Sequence, residues 1–306
     1  MTRDYLSVDD LTPGELGHVL QLAAAIKADR SLHAGALAGK SVALIFEKAS
    51  TRTRVSFEVG VAQLGGAPLV LSASDLHLGR GETIEDTGRV LSRYVDAIVL
   101  RTFEQERLEV LAGAASIPVV NSLSDFEHPC QALADLQTMA ERFGRFDGRI
   151  LTYVGDGNNV AHSLLLAGAK VGMTVKVATP PGFEPIPLVV DRATEIAAAT
   201  GGAIHVGNDP KEAAHGAHAL YTDVWASMGQ ESEADERSLV FPAFRIDDAL
   251  VSLAAEDAII MHCLPAHRGQ EIAADVIDGP RSAVWDQAEN RLHAQKALLL
   301  FLFGLA

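Results

Sequence analysis

Cysteine is scarce: two in 306 residues, Cys130 and Cys263, give no disulfide framework and suit a reducing compartment. Basic residues are in deficit, with 25 Lys and Arg against 40 Asp and Glu and a formal net charge of -15. Nucleic acids and anionic membranes select for basic faces, so neither is expected as a partner. Long apolar runs are missing as well. The longest, Ala297 to Ala306, falls short of the ~20 residues that a membrane span requires. Met1 to Asp10 is polar and acid-containing, without the apolar run of a signal peptide, which predicts a cytoplasmic protein. Low-complexity tracts, short-period repeats and heptads do not occur. Hydrophobic residues at 48% and charged residues at 21% describe an ordinary globular chain, long enough for two domains of about 150 residues each.

Short β-branched or apolar runs alternate with helical stretches along nearly all of this length. Strands are predicted at Val42 to Phe46, Ala67 to Leu71, Asp96 to Leu100 and Ile117 to Val120. The series resumes at Ile150 to Val154, Thr174 to Ala178, Ala219 to Thr222 and Asp257 to Met261. Such alternation predicts an α/β protein of two domains, each a parallel sheet covered by helices on both faces. Phe143 to Arg149, with two glycines and mixed charge, marks the boundary. Gln230 to Arg237 reads as an exposed acidic loop. Ligands of open parallel sheets bind beyond the C-terminal ends of the strands, so motifs that follow strands carry most weight.

The run Ser50-Thr51-Arg52-Thr53-Arg54 does so. It follows the first strand and opens a helix whose apolar positions Val55, Val59 and Ala62 recur at helical spacing. Ser50 and Thr51 fall where an N-cap belongs, and the free N–H groups and positive dipole end of that helix favour an anion. Hydroxyls from Ser50, Thr51 and Thr53 and the planar fork of Arg52 complete a donor set for phosphate or carboxylate. The Lys-Ser/Thr ending of a Walker loop is absent, so a nucleoside triphosphate is not the expected ligand. A plain helix cap followed by solvated arginines is the competing reading, and the five residues together outweigh it.

Further motifs follow other strands. Arg101 is either a surface cation or a second arm on the anion. His128-Pro129-Cys130-Gln131 opens another helix, with proline suited to its first turn and His128 and Gln131 able to hydrogen-bond a polar substrate. Gly155-Asp156-Gly157-Asn158-Asn159 is a poor dinucleotide fingerprint, because Val160 stands at the third glycine position. Asn158 and Asn159 read as amide donors or as turn and cap residues. Asp223, Ser227 and Met228 in the segment Asp223 to Gly229 suit an amine and its attached groups, though Asp223 alone fits a cap. Cys263, in His262-Cys263-Leu264-Pro265, is a small buried hydrophobe, a nucleophile or a site-lining group. Asn290-Arg291-Leu292-His293 opens the C-terminal helix. No His/Cys/carboxylate set has structural zinc spacing, so neither a metal nor another cofactor is expected.

In this order, STRTR, HPCQ, D-x-x-x-S-M-G and HCLP make the chain resemble the ornithine carbamoyltransferases, within the wider aspartate/ornithine carbamoyltransferase family. The resemblance implies a carbamoyl phosphate domain at 1–146, an ornithine domain at 147–286 and a C-terminal helix, 287–306, packing back on the first domain. It implies a homotrimer, or a multiple of trimers, with sites at subunit boundaries. By the same resemblance, Ser50, Thr51, Arg52, Thr53 and Arg101 hold the phosphate, His128 and Gln131 address the carbamoyl group with Arg291 nearby, and Cys263 and Leu264 line the reacting centre. Asn159, Asp223, Ser227 and Met228 bind L-ornithine, and His77 reaches a neighbour's site. Cys263, His128 and Arg52 carry the catalytic expectation. The rival readings are a different acceptor, such as acetylornithine or putrescine, and a non-catalytic anion-binding or regulatory relative.

Overall fold

The computed structural model describes residues 3–48, 50–72, 81–226 and 234–306. They divide into two compact units, residues 1–137 with 289–306, and residues 138–288. Among the described residues, no helix is long and apolar enough to cross a membrane.

The first unit begins with α1 (Pro13–Ala28), which Thr12 and Glu15 start as a capping box with Pro13 at the first helical position. Then come β1 (Ser41–Phe46), α2 (Thr51–Gln63), β2 (Ala67–Ser72), α3 (Ile84–Leu91), β3 (Ala97–Arg101), α4 (Gln105–Ala114), β4 (Val119–Leu123) and α5 (Pro129–Phe143), whose residues from 138 onward belong to the second unit. The four strands are parallel, in the order β2-β1-β3-β4. β1 and β3 are buried along their centres, as strands covered on both faces must be, while β2 at the edge is half exposed. Ala43, Ile45, Ile98, Leu100, Leu108 and Val119 form one side of this core.

In the second unit the strands β5 (Ile150–Val154), β6 (Thr174–Ala178), β7 (Ala203–Gly207), β8 (Ala219–Thr222) and β9 (Ile259–His262) are parallel, ordered β7-β6-β5-β8-β9. Between them run α6 (Asn159–Lys170), α7 (Pro187–Thr200), α8 (Pro210–Ala214), α9 (Ala234–Val240) and α10 (Asp248–Val251), followed after β9 by α11 (Ala274–Ile277) and α12 (Val284–Leu302). Every residue of α6 from Val160 to Lys170 is buried, which its apolar sequence allows on all sides. From residue 289 onward α12 belongs to the first unit, where Asn290 accepts from Lys27 Nζ at 2.7 Å and Glu289 pairs with Arg30 at 2.6 Å.

Several sequence-based expectations change. β7 was not anticipated; it is a five-residue edge strand directly behind Gly201-Gly202, with too little apolar alternation to stand out. β4 and β9 begin two residues later than expected, at Val119 and Ile259. α12 begins at Val284, so Asn290 and Arg291 lie inside the helix rather than at its start. In α2 the buried side carries Thr53, Phe57, Gly60 and Val61, whereas Val55 is 50% and Val59 38% exposed and Ala62 also faces outward. The helix has two apolar stripes, and the one first evident in the sequence is the outer one. The presumed loop 230–237 is corrected in part. Residues 230–233 lie outside the described residues, but Ala234 onward is α9, and Arg237 is buried. Its guanidinium donates to Asp156 Oδ2 at 2.8 Å and to the Trp225 carbonyl at 2.6 Å, and lies 4.9 Å from the Phe183 ring centre.

The glycines of the 155–159 turn answer to packing. Gly155 has φ +147°, and a Cβ on Gly157 would stand 2.3–2.5 Å from backbone atoms of Phe183, Glu184 and Pro185. Gly157→Ala is therefore expected to destabilise the protein by about 1–3 kcal/mol. Gly207→Ala, with nothing within 4 Å of the new Cβ, should leave stability unchanged. Chemical denaturation of both variants measures the contrast, and equal midpoints would refute the steric reading.

Candidate active site

In the first unit β1 is followed in sequence by β2 on one side and flanked by β3 on the other, so the chain reverses its winding between β1 and β3. That switch point is where an open parallel sheet leaves room for a ligand. Phe46 pairs with Arg101 in register, and the Glu47 N–H donates to the Arg101 carbonyl at 2.9 Å, so the two strand ends finish level. Ser50 is the N-cap of α2 in extended conformation, and its hydroxyl makes no cap hydrogen bond. The hydroxyl and the first N–H groups of α2 remain available to an anion. Thr53 is buried and accepts from an Arg291 guanidinium nitrogen, which fastens α12 to the start of α2. Arg52 is partly buried, but Arg54 turns outward to an exposed pair with Glu58 at 3.7 Å. Only the first of the two STRTR arginines belongs to the site.

His128 precedes α5 and is buried. The neighbouring Glu127, also buried, is anchored by the Ser7 hydroxyl and by the Val8 N–H at 3.0 Å. The His128 carbonyl accepts the Gln131 N–H at 3.0 Å, so the histidine is set by the helix that carries Gln131. Burial pushes the His128 pKa well below its ordinary 6.5, and the positive charges of Arg291, Arg101 and Arg52 push the same way. The imidazole is therefore neutral and able to donate one N–H while accepting at its other nitrogen. The cations carried on α2, β3 and α12 thus all act on this one imidazole. Cys130 plays a different part: burial pushes its thiol up to about 12, and its Sγ donates to the Asn121 carbonyl at 3.3 Å. It is a packed, unreactive thiol.

The second unit has its own switch point, between β5 and β8. The turn after β5 carries Asn158 and Asn159. Asn158 caps α6, its Oδ1 accepting the Val160 and Ala161 N–H groups, and its Nδ2 donates to Asp223 Oδ2 at 3.0 Å. Asn159 is the first residue of α6 and half-buried. Asp223 follows β8 directly. Thr222 pairs in register with His262 of β9, so the next residues, Asp223 and Cys263, come side by side, and Cys263 Sγ donates to Asp223 Oδ1 at 2.9 Å. Cys263 is thus tied to a buried carboxylate rather than being an isolated core residue.

Leu264 has φ +59°, a conformation costly to a residue with a branched side chain. His262 holds it there. Nδ1 accepts the Leu264 N–H at 2.8 Å, which places the ring proton on Nε2, 3.1 Å from Oε1 of the fully buried Glu271. Donor atoms of Asp223, His262 and Cys263 lie within 4.8 Å of one another, the spacing of a metal site. Both histidine nitrogens and both Asp223 oxygens are engaged as just described, so the cluster reads as a hydrogen-bond network.

The structure brings together Ser50, Thr51, Arg52, Thr53, Arg101, His128, Gln131 and Arg291 in one unit and Asn159, Asp223, Cys263 and Leu264 in the other. His77, Ser227 and Met228 lie outside the described residues. Sequence reasoning passed over Glu271, which no motif marks, and over Asp135, one turn after Gln131.

A cluster of arginines about a neutral histidine in one parallel-sheet unit, and an amide–carboxylate–thiol network in the other, define a two-unit α/β group-transfer enzyme. Known proteins narrow this class. A family model described as aspartate/ornithine carbamoyltransferase, carbamoyl-P binding domain, matches residues 3–141, and one described as the Asp/Orn binding domain matches 147–302. The ornithine carbamoyltransferase of Parafrankia sp. is 62% identical over 303 residues, 98% of this chain and 96% of that protein. A solved structure of ornithine carbamoyltransferase from Pyrococcus furiosus is 54% identical, with a TM-score of 0.96 over 99% of this chain and 97% of that one. An acetylornithine transcarbamylase complexed with acetylcitrulline is 31% identical, with a TM-score of 0.87 over 98% of each chain. The chain belongs to the aspartate/ornithine carbamoyltransferase family.

The buried neutral His128 has a consequence for acid stability. Its native pKa lies below the unfolded value of about 6.5, so its contribution is complete above that pH. As pH falls below 6.5, the unfolded chain gains a proton that the native one refuses, and stability is lost until the native pKa is passed. His128→Gln should therefore show a flatter decline of Tm below about pH 6.5 than the parent protein. Parallel curves would remove His128 from the acid response.

Proposed function

We infer that this protein is an ornithine carbamoyltransferase, moving the carbamoyl group of carbamoyl phosphate to the side-chain amine of L-ornithine and giving L-citrulline and phosphate. The observation that carries the inference is that Arg52 and Arg101, from the helix after β1 and the end of β3 beside the switch point, and Arg291 of α12 all act on the charge of buried His128. In a chain of net charge -15 such a cluster serves a local anion. Ser50, Thr51, Arg52, Thr53 and Arg101 hold the phosphate, while Gln131 and Arg291 address the carbamoyl end. His128 donates its N–H to the carbamoyl oxygen, where negative charge grows as the carbon becomes tetrahedral.

Asn159 and Asp223 bind ornithine, together with Ser227 and Met228 by the family resemblance. Free ornithine should titrate like lysine, near 10.4, so its side-chain amine must lose a proton before it attacks. The substrate phosphate can accept this proton as it stands, and Cys263, whose S–H donates to Asp223, can do so once its own proton has passed to that carboxylate. The nitrogen lone pair then forms the bond to the carbamoyl carbon, the bond from that carbon to the phosphate oxygen breaks with its electron pair leaving on phosphate, and the departing phosphate takes the second proton from the nitrogen, leaving neutral citrulline. Arg52 and Arg101 stabilise that charge.

The assembly belongs to the same proposal: a homotrimer or a multiple of trimers, in the cytoplasm. Val55 and Val59 on the outer stripe of α2 and Leu69 on the edge strand β2 are exposed apolar residues that a second copy could cover. By the resemblance, His77 of one copy serves a neighbour's site.

Assays of the purified protein with carbamoyl phosphate and, separately, ornithine, acetylornithine, putrescine and aspartate test the function. Citrulline from ornithine alone is expected. Turnover only with another amine would overturn the acceptor, and silence with all four would point to a non-catalytic anion binder. Arg52→Ala should stay folded by circular dichroism and lose about 10²–10³-fold in kcat/KM. Near-normal turnover would refute the role of Arg52.

A further inference from the structure

Gln131 and Asp135 lie one turn apart on α5, and each is 1% exposed. Gln131 Nε2 donates to Asp135 Oδ1 at 2.8 Å. Gln131 Oε1 is buried and has no hydrogen-bond partner among the described residues. An unpaired buried carbonyl is costly and calls for an explanation, one of which is a partner that arrives with a ligand. The two ends of an amide are not equivalent: the nitrogen only donates and the oxygen only accepts, while an ionised carboxylate only accepts. A carboxylate beside Gln131 therefore selects which end faces it and which end faces away.

We propose that Asp135 is a positioning residue that sets the selectivity of the donor site, by holding Gln131 with Oε1 turned to accept an N–H of the carbamoyl amino group. The inference rests on the donor role assigned above to this part of the unit. Acetyl phosphate isolates the effect. It offers the same phosphate and carbonyl, but a methyl group where carbamoyl phosphate has its amino group. A methyl cannot donate, so Gln131 Oε1 would stay buried and unpaired beside it. Sites built to bond a substrate N–H reject analogues that lack it more strongly than apolar pockets reject a missing methylene. Asparagine at position 135 presents either an oxygen or an NH₂ group, so Asp135→Asn would let the Gln131 amide face either way and weaken that preference.

The test uses the full-length enzyme and Asp135→Asn. It compares the KM for carbamoyl phosphate with inhibition constants for acetyl phosphate and inorganic phosphate. The parent should favour carbamoyl over acetyl phosphate. In the variant the gap should narrow by about tenfold, the equivalent of one hydrogen bond, through weaker use of carbamoyl phosphate. Inorganic phosphate, which has no carbamoyl end, should inhibit both proteins equally. An unchanged gap in folded variant would overturn the proposal, as would equal weakening toward all three compounds, which marks general damage. Should the variant fail to fold, neutron diffraction of the parent with phosphonoacetamide, a stable amide analogue, decides the matter. Oε1 facing the ligand amide supports the assignment, and Nε2 facing it sinks the assignment. A parent that neither uses carbamoyl phosphate nor is inhibited by phosphate would fail at the donor reading itself, a different result from an unchanged gap.

Discussion

Parallel strands all point the same way, and where the winding of a sheet reverses, two neighbouring strand ends open onto a common gap. Much of the chemistry placed by this chain depends on that constraint, applied twice. In the first unit the level ends of β1 and β3, Phe46 beside Arg101, bring the start of α2 next to a cation from another strand. In the second, the register Thr222 to His262 continues past the strands and puts Asp223 against Cys263. Residues far apart in sequence meet because strands pair at fixed offsets, and the loops need only continue a direction that the sheet has set.

The first unit concentrates positive charge in a strongly acidic protein. Arg52, Arg101 and Arg291 come from a helix start, a strand end and the middle of a late helix, and their combined field helps keep His128 uncharged. Each element is tied to another: Thr53 to Arg291 across α2 and α12, and Glu127 to the N-terminal segment through Ser7 and Val8. A protonated His128 would add to the repulsion and compete for phosphate oxygens. A neutral one leaves the anion to the arginines and keeps an N–H for a carbonyl oxygen. On the proposed function, charge and hydrogen bonding are thereby divided between the two ends of one small donor molecule.

How much of this could be read in the sequence depended on whether a residue's partner was local. Ser50 as the cap of α2 and Pro129 at the first position of α5 were legible, because caps and first turns are short-range chemistry. The alternation of strands and helices was legible for the same reason. The outward direction of Val55 and Val59 was not, since α2 has a second apolar series, Phe57, Val61 and Leu64, and only packing chooses between them. Arg237 looked like part of a solvated acidic loop, because Asp156 and the Phe183 ring that receive it are remote in sequence. Glu271 was invisible for the same cause: its meaning comes from His262, and neither residue's neighbours announce the pair.

The acceptor half obeys a different logic from the donor half. Phosphate recognition tolerates a fixed frame, because one anion is bound by backbone N–H groups and permanent cations. Amine recognition, as proposed for Asp223, rests on orientation: Asn158 and Cys263 each donate to a different oxygen of that carboxylate, which fixes its direction. His262 and Glu271 then keep Leu264 in a strained backbone conformation beside that carboxylate. None of these contacts changes the path of the sheet, so chains with nearly the same backbone can differ in the amine they accept. On the proposed assignment, acceptor identity is thus a property of a few oriented side chains, which the frame positions but does not choose.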